Sequence, residues 1–138
     1  MLVISLNCRM AVVRPVTRAC HPSAIVVGMP ARYLLHMTQA DRWPAALSNL
    51  GNLRQLGFAE NVTVLINGTA IYAVQGSNDW TEAMRAAAED GVRFEICERS
   101  LANHGFPPDS IPSWMTPIWA AVPVVAEHLA DGYAYIKP

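Results

Sequence analysis

From residue 32 onward the chain alternates short apolar runs with longer stretches in which apolar residues recur every three or four positions. Residues 32–37 (RYLLHM), 62–66 (VTVLI) and 92–96 (VRFEI) have the length and composition of buried strands. Between the first two, Trp43, Leu47, Leu50 and Leu53 form one helical stripe. That helix is expected to begin at an N-cap on Thr38 or Asp41, to carry Pro44 in its first turn, and to stop at Gly57. Asp79 opens a second helix, with Trp80, Met84 and Ala87 or Ala88 along one face and Asp90-Gly91 as its stop. Residues 69–74 fit a short helix or an extended segment equally well. After residue 96 a short helix runs to about His104. Residues 116–121 form a fourth strand. A helix beginning at Pro123 then presents Val122, Val125, Ala126 and Leu129 as its apolar side, and 133–136 closes the sheet. Strands alternating with helices in this way predict an α/β fold with a mainly parallel sheet covered on both faces.

Composition narrows the class of protein. Of the 138 residues, 52% are hydrophobic and 15% charged, with a formal net charge of -1, which suits one compact domain. A chain so balanced carries no basic footprint for nucleic acid. It also contains no run approaching the roughly 20 apolar residues of a membrane span. Its cysteines, Cys8, Cys20 and Cys97, are odd in number and unclustered, so the expectation is a cytoplasmic protein with reduced thiols, no metal centre and no cofactor. Residues 1–29 hold three arginines, no acidic residue and no sustained period. They read as a poorly structured extension, or as a run ahead of a natural start at Met10 or Met29. The domain proper is expected over 30–138.

Ligands of open parallel sheets bind beyond the carboxyl ends of the strands. His36, Asn67, Gly68 and Cys97 all fall at such ends. Cys97 precedes a helix whose first amides favour a thiolate, the form that takes or passes a sulfur atom. Glu98 opposes that ionisation, and Arg99 assists it if turned inward. The same position also suits a packed, inert cysteine. His36 is a candidate base or polarising group. Asn67-Gly68 is either a plain turn or a pair of amides offered to an anion. His21 and His128 have no sequence neighbours that suggest a site. Trp43 and Trp80 fit core stripes, whereas Trp114 and Trp119, in a proline-punctuated stretch, suit a subunit interface. Walker, dinucleotide, nucleophile-elbow and zinc-protease motifs are absent.

The run 94–105 (FEICERSLANHG), the pair Pro108-Asp109 and the tail 132–138 (GYAYIKP) together resemble the DsrE/DsrF-like family. The correspondence runs through Cys97, Ser100-Leu101, Gly105, Gly132-Tyr133, Tyr135, Lys137 and Pro138, with 62–66 and Asn67-Gly68 also matching. Ile96 and Arg99 depart from the family pattern beside the cysteine. The resemblance implies a three-layer α/β/α sandwich on a five-stranded, mainly parallel sheet. It also implies a homo-oligomer, trimer or hexamer, with the cysteine near a subunit contact. In sulfur-relay members that cysteine carries a persulfide between donor and acceptor proteins. On this basis Cys97 is the expected catalytic residue, and His36, Asn67, Gly68 and Ser100 its substrate-binding surround. The alternative is a non-enzymatic oligomeric module that binds a small anion or a protein partner.

Overall fold

The computed structural model describes residues 32–138. The expectation for 1–29, together with Cys8, Cys20 and His21, lies outside the described residues. In chain order the elements are β1 (Tyr33–Met37), α1 (Trp43–Gln55), β2 (Val62–Ile66), α2 (Asp79–Glu89), β3 (Arg93–Cys97), α3 (Glu98–Asn103), β4 (Thr116–Ile118), α4 (Ala121–Ala130) and β5 (Ala134–Ile136). Residues Gly68–Val74, which fitted either of two conformations in sequence, form a 3-10 helix.

The five strands lie in the order β4-β3-β2-β1-β5, and every pairing is parallel. Right-handed crossovers explain where the helices go. Three successive steps from β1 to β4 move across the sheet in one direction and deliver α1, α2 and α3 to one face. The return from β4 to β5 runs the other way and delivers α4 to the opposite face. The buried residues divide accordingly. Leu35, Met37, Val64, Ile66, Phe94 and Ile96 pack with Trp43, Leu50, Met84 and Leu101 of the three helices. Leu34, Leu65 and Cys97 pack with Ala121 and Val124 of α4 and with Tyr133. The two-residue period of a strand therefore sorts each strand between a large core and a small one.

Several details differ from the sequence reading. Neither Thr38 nor Asp41 caps α1. A 3-10 turn, Ala40–Arg42, leads into that helix, and Arg42 at its N-cap position makes no side-chain cap. The cap the sequence left unnamed belongs to α2. The Asn78 side chain accepts from the Trp80 and Thr81 amides while Thr81 Oγ1 accepts from the Asn78 amide, a reciprocal capping box. The fourth strand stops at Ile118, and α4 begins at Ala121, ahead of Pro123.

The largest difference concerns which face of α4 is buried. Ala121 and Val124 meet the sheet, while Val122 is 77% exposed and Leu129 44% exposed. Ala121 and Val124 share a buried cluster with Cys97, Val125 packs partly against it, and Val122, Ala126 and Leu129 are left outside. Trp114 is half-buried, its ring edge-on to Phe94 at 5.3 Å. Trp119 stays 60% exposed.

Candidate functional site

The carboxyl ends of β1, β2 and β3 bring His36, Asn67 and Cys97 to the α4 end of the sheet, whereas Ser100 lies on α3, on the opposite face. His36 pairs in register with Leu65, and Leu65 with Glu95. Ile66 pairs with Ile96, so the next residues, Asn67 just beyond β2 and Cys97 at the end of β3, follow side by side. Asn67 thus follows the strand that lies between those carrying His36 and Cys97.

His36 is held from both sides. Its Nε2 lies 2.9 Å from Asn67 Oδ1 and its Nδ1 lies 2.7 Å from the Tyr135 hydroxyl. A carboxamide oxygen only accepts, so Nε2–H donates to Asn67, and in the neutral ring the bare Nδ1 then accepts the Tyr135 O–H. That arrangement specifies one tautomer of a neutral ring. Burial lowers the His36 pKa below its ordinary value of 6.5; the Asn67 hydrogen bond opposes this, and the charge of Lys137 adds to it. Lys137 itself donates to Thr38 Oγ1, and burial lowers its pKa as well. Because the unfolded chain binds the His36 proton more readily, the neutral ring's stabilisation is complete above about pH 6.5 and is lost as pH falls toward the folded value. A proton NMR titration is expected to give His36 a midpoint below 6.5, and Tyr135→Phe is expected to shift it by removing the Nδ1 partner.

A second pair lies beside the first. The Gly68 amide donates to Ser100 Oγ at 3.0 Å, tying the end of β2 to the first turn of α3. Gly68 adopts φ +58°, and a Cβ there would meet the Thr38 carbonyl oxygen at 2.6 Å. Only glycine permits that approach. The Asn67 amide donates to Met37 O, and the Ala40 amide to Thr69 Oγ1, so the loops leaving β1 and β2 are laced together.

Cys97 sits at the N-cap position of α3 and is 3% exposed. It packs among Leu34, Leu65, Ala121 and Val124. Glu98 and Arg99 are both exposed, so neither covers the sulfur. Ile96 does not shape its surroundings, because alternation along β3 sends that side chain into the larger core on the opposite face.

Three residues were missed as site members: Tyr135, Lys137 and Thr38. The tail motif contained two of them, but their role depends on β5 pairing with β1, a contact across 99 positions. His128, which had no suggestive sequence neighbours, places Nε2 at 2.8 Å from Glu95 Oε2 under α4. Among the described residues no group of three or more His, Cys, Asp or Glu side chains is placed to hold a metal ion. No described helix is long and apolar enough to cross a membrane.

Two solved structures share this architecture. A protein of unknown function, MTH1491 from Methanobacterium thermoautotrophicum, matches with a TM-score of 0.68 at 20% identity, covering 78% of this chain and 99% of that one. A conserved protein of unknown function, BT1422 from Bacteroides thetaiotaomicron, matches with a TM-score of 0.61 at 15% identity, covering 78% of this chain and 94% of that one. At such identities the likeness establishes the fold alone. No curated protein matches the chain in sequence. The model of one family does, over residues 58–138, which takes in β2, Asn67-Gly68, the Cys97 segment and the closing strand. With more than half of its length so matched, the chain belongs to the DsrE/DsrF-like family.

Proposed function

We propose that the chain is a sulfur carrier in which Cys97 accepts and donates sulfane sulfur. The observation that carries this reading is the position of Cys97 at the carboxyl end of β3, next to Asn67 and the histidine it holds. In the loading step the Cys97 thiolate attacks the outer sulfur of a donor persulfide. The donor's S–S bond breaks, the donor thiolate leaves with the electron pair, and a persulfide remains on Cys97. In the unloading step an acceptor thiolate attacks that outer sulfur and Cys97 leaves as thiolate. Electrons balance without an external oxidant. Asn67, His36, Gly68 and Ser100 supply the polar approach, and the donor and acceptor are cytoplasmic proteins or thiols.

Because Cys97 is 3% exposed and shares a buried cluster with Ala121 and Val124, transfer requires the start of α4 to lift. Alkylation of native Cys97 is therefore expected to be slow compared with the urea-unfolded chain, and to accelerate in the presence of a genuine donor. Equal rates for native and unfolded chain, with no response to a donor, would count against the reading.

A second reading rests on a separate observation. Val122, Ala126 and Leu129 recur at spacings of four and three along α4 and are exposed, while Val125 turns partly inward against the Cys97 cluster; Trp119, just ahead of the helix, is exposed as well. An apolar helix face of this kind suits a contact between copies of the chain. We infer a homo-oligomer, trimer or hexamer, built on α4, so that the helix covering Cys97 is also the helix a neighbouring subunit touches. The double variant Val122→Lys, Leu129→Lys is expected to sediment as a monomer with its melting transition retained. A wild-type chain that is already monomeric at tens of micromolar overturns the assembly.

A further inference from the structure

At the amino ends of the strands, away from Cys97, a mostly polar cavity of about 380 Å³ opens beneath the α4 side of the sheet. Its walls combine the starts of β1 and β3 with the end of α4. Two arginines dominate it, and both are drawn to one aromatic ring. Arg32, whose carbonyl accepts from the Ala134 amide, carries its guanidinium over the Tyr133 ring at 5.7 Å. Arg93, the first residue of β3, reaches across the sheet and donates to the Tyr133 hydroxyl. Tyr133 is nearly fully buried, so it is a fixed post to which both cations are tethered.

Neither arginine forms an ion pair among the described residues. Glu60 and Asp131 line the cavity too, but neither pairs with an arginine there. Glu95 is held by His128, and the Glu60 side chain lies against the backbone of Gly91, where an added Cβ would meet its Cγ at 2.8 Å. Asp131 is exposed at the end of α4. Two guanidinium groups drawn to one ring, neither of them ion-paired to the Glu60 or Asp131 carboxylates that line the same cavity, are placed to share an anion bound between them. The bond to Tyr133 uses one of Arg93's five N–H donors and leaves the rest of its fork free.

We propose that this cavity is a binding site for a small oxyanion, a carboxylate or phosphate group of a metabolite-sized molecule, clamped between Arg32 and Arg93 over Tyr133. The volume falls in the range of small-molecule sites. Glu60 and Asp131 at the rim would meet a polar or cationic remainder of the same molecule. The site is separate from the sulfur chemistry and does not depend on it.

The test is an NMR titration of the full chain, following the arginine Nε–Hε signals and the His128 ring, which lies tilted against Tyr133 at 4.7 Å between centroids. Inorganic phosphate, acetate and chloride are added separately. Saturable shifts with phosphate or acetate, and only a weak linear response to chloride, are expected. Saturation by phosphate alone assigns a phosphate group, and saturation by acetate assigns a carboxylate. Arg93→Met and Arg32→Met should each weaken binding at least tenfold. Tyr133→Phe keeps the ring and should weaken it only a few-fold. If a methionine variant fails to fold, Arg93→Lys, which retains charge but loses the fork, should still weaken binding. Response to phosphate and acetate no different from chloride, or unchanged affinity in the folded arginine variants, overturns the proposal.

Discussion

Trp43→Ala is expected to cost about 3–5 kcal/mol, the usual range for emptying a large buried aromatic site. Trp43 is 1% exposed at the first position of α1, and its ring joins the larger core beneath β1 and β2. Its Nε1 also donates to the Ala70 carbonyl at 3.0 Å, which fastens the 3-10 segment after β2 to the start of α1. Truncation also removes this hydrogen bond, a further loss of about 0.5–1.5 kcal/mol. For a domain whose whole stability is about 5–15 kcal/mol, most of the margin is at stake. Trp43→Phe separates the two effects, since it keeps most of the volume and loses only the donor. Urea unfolding of the three chains reads the difference, and a loss below about 1 kcal/mol for the alanine variant would show that the site collapses without cost.

The second large effect belongs to the candidate site. Gly68→Ala forces a Cβ into the left-handed region, a cost of roughly 1–2 kcal/mol. It also drives that Cβ against the Thr38 carbonyl at 2.6 Å, where backbone must move. A total of at least about 2 kcal/mol is expected, together with a change in the His36 resonances as the β1 and β2 loops separate. Gly57→Ala is the internal control. It too has positive φ, +85°, but nothing lies within 4 Å of its added Cβ, so it should show the backbone cost alone. Equal losses at Gly68 and Gly57 would mean that the close approach to Thr38 is unimportant.

The chain of residues 32–138 was legible as alternating strands and helices because its apolar runs are short and cleanly bounded. β2 is the clearest case: VTVLI, ended by Asn67-Gly68, is buried along its whole length. α4 was legible as a helix but not in its orientation. It is apolar on more than one side, so a 3.6-residue period fits both the Val122–Leu129 stripe and the Ala121–Val124 stripe. What decides between them is the space over Cys97, which belongs to the sheet and not to the helix. α1 lacks a side-chain cap, so reading Thr38 and Asp41 as caps could not succeed; the chain there spends a 3-10 turn before the helix begins.

The candidate site was legible as a set of strand ends but not as a set of contacts. His36 and Asn67 are joined by the parallel register of β1 and β2, and Tyr135 enters only because β5 returns to the far side of β1. Both depend on strand order, which local spacing does not encode. The same holds for Glu95 and His128, and for the two arginines on Tyr133. Cys97, by contrast, was visible from the residues around it, and what the structure adds is its cover of leucine, alanine and valine.

That cover makes the central claim, sulfur carriage on Cys97, open to a direct measurement. The purified full chain is incubated with a sulfane-sulfur donor under non-reducing conditions, and the mass of the tryptic peptide containing Cys97 is recorded before and after exposure to an acceptor thiol. The account predicts a gain of one sulfur atom on that peptide, its loss when the acceptor is added, and no gain at that position in Cys97→Ser. A native Cys97 peptide that never gains sulfur, while the same peptide from unfolded chain does, would contradict it and leave Cys97 a packed side chain of the α4 core.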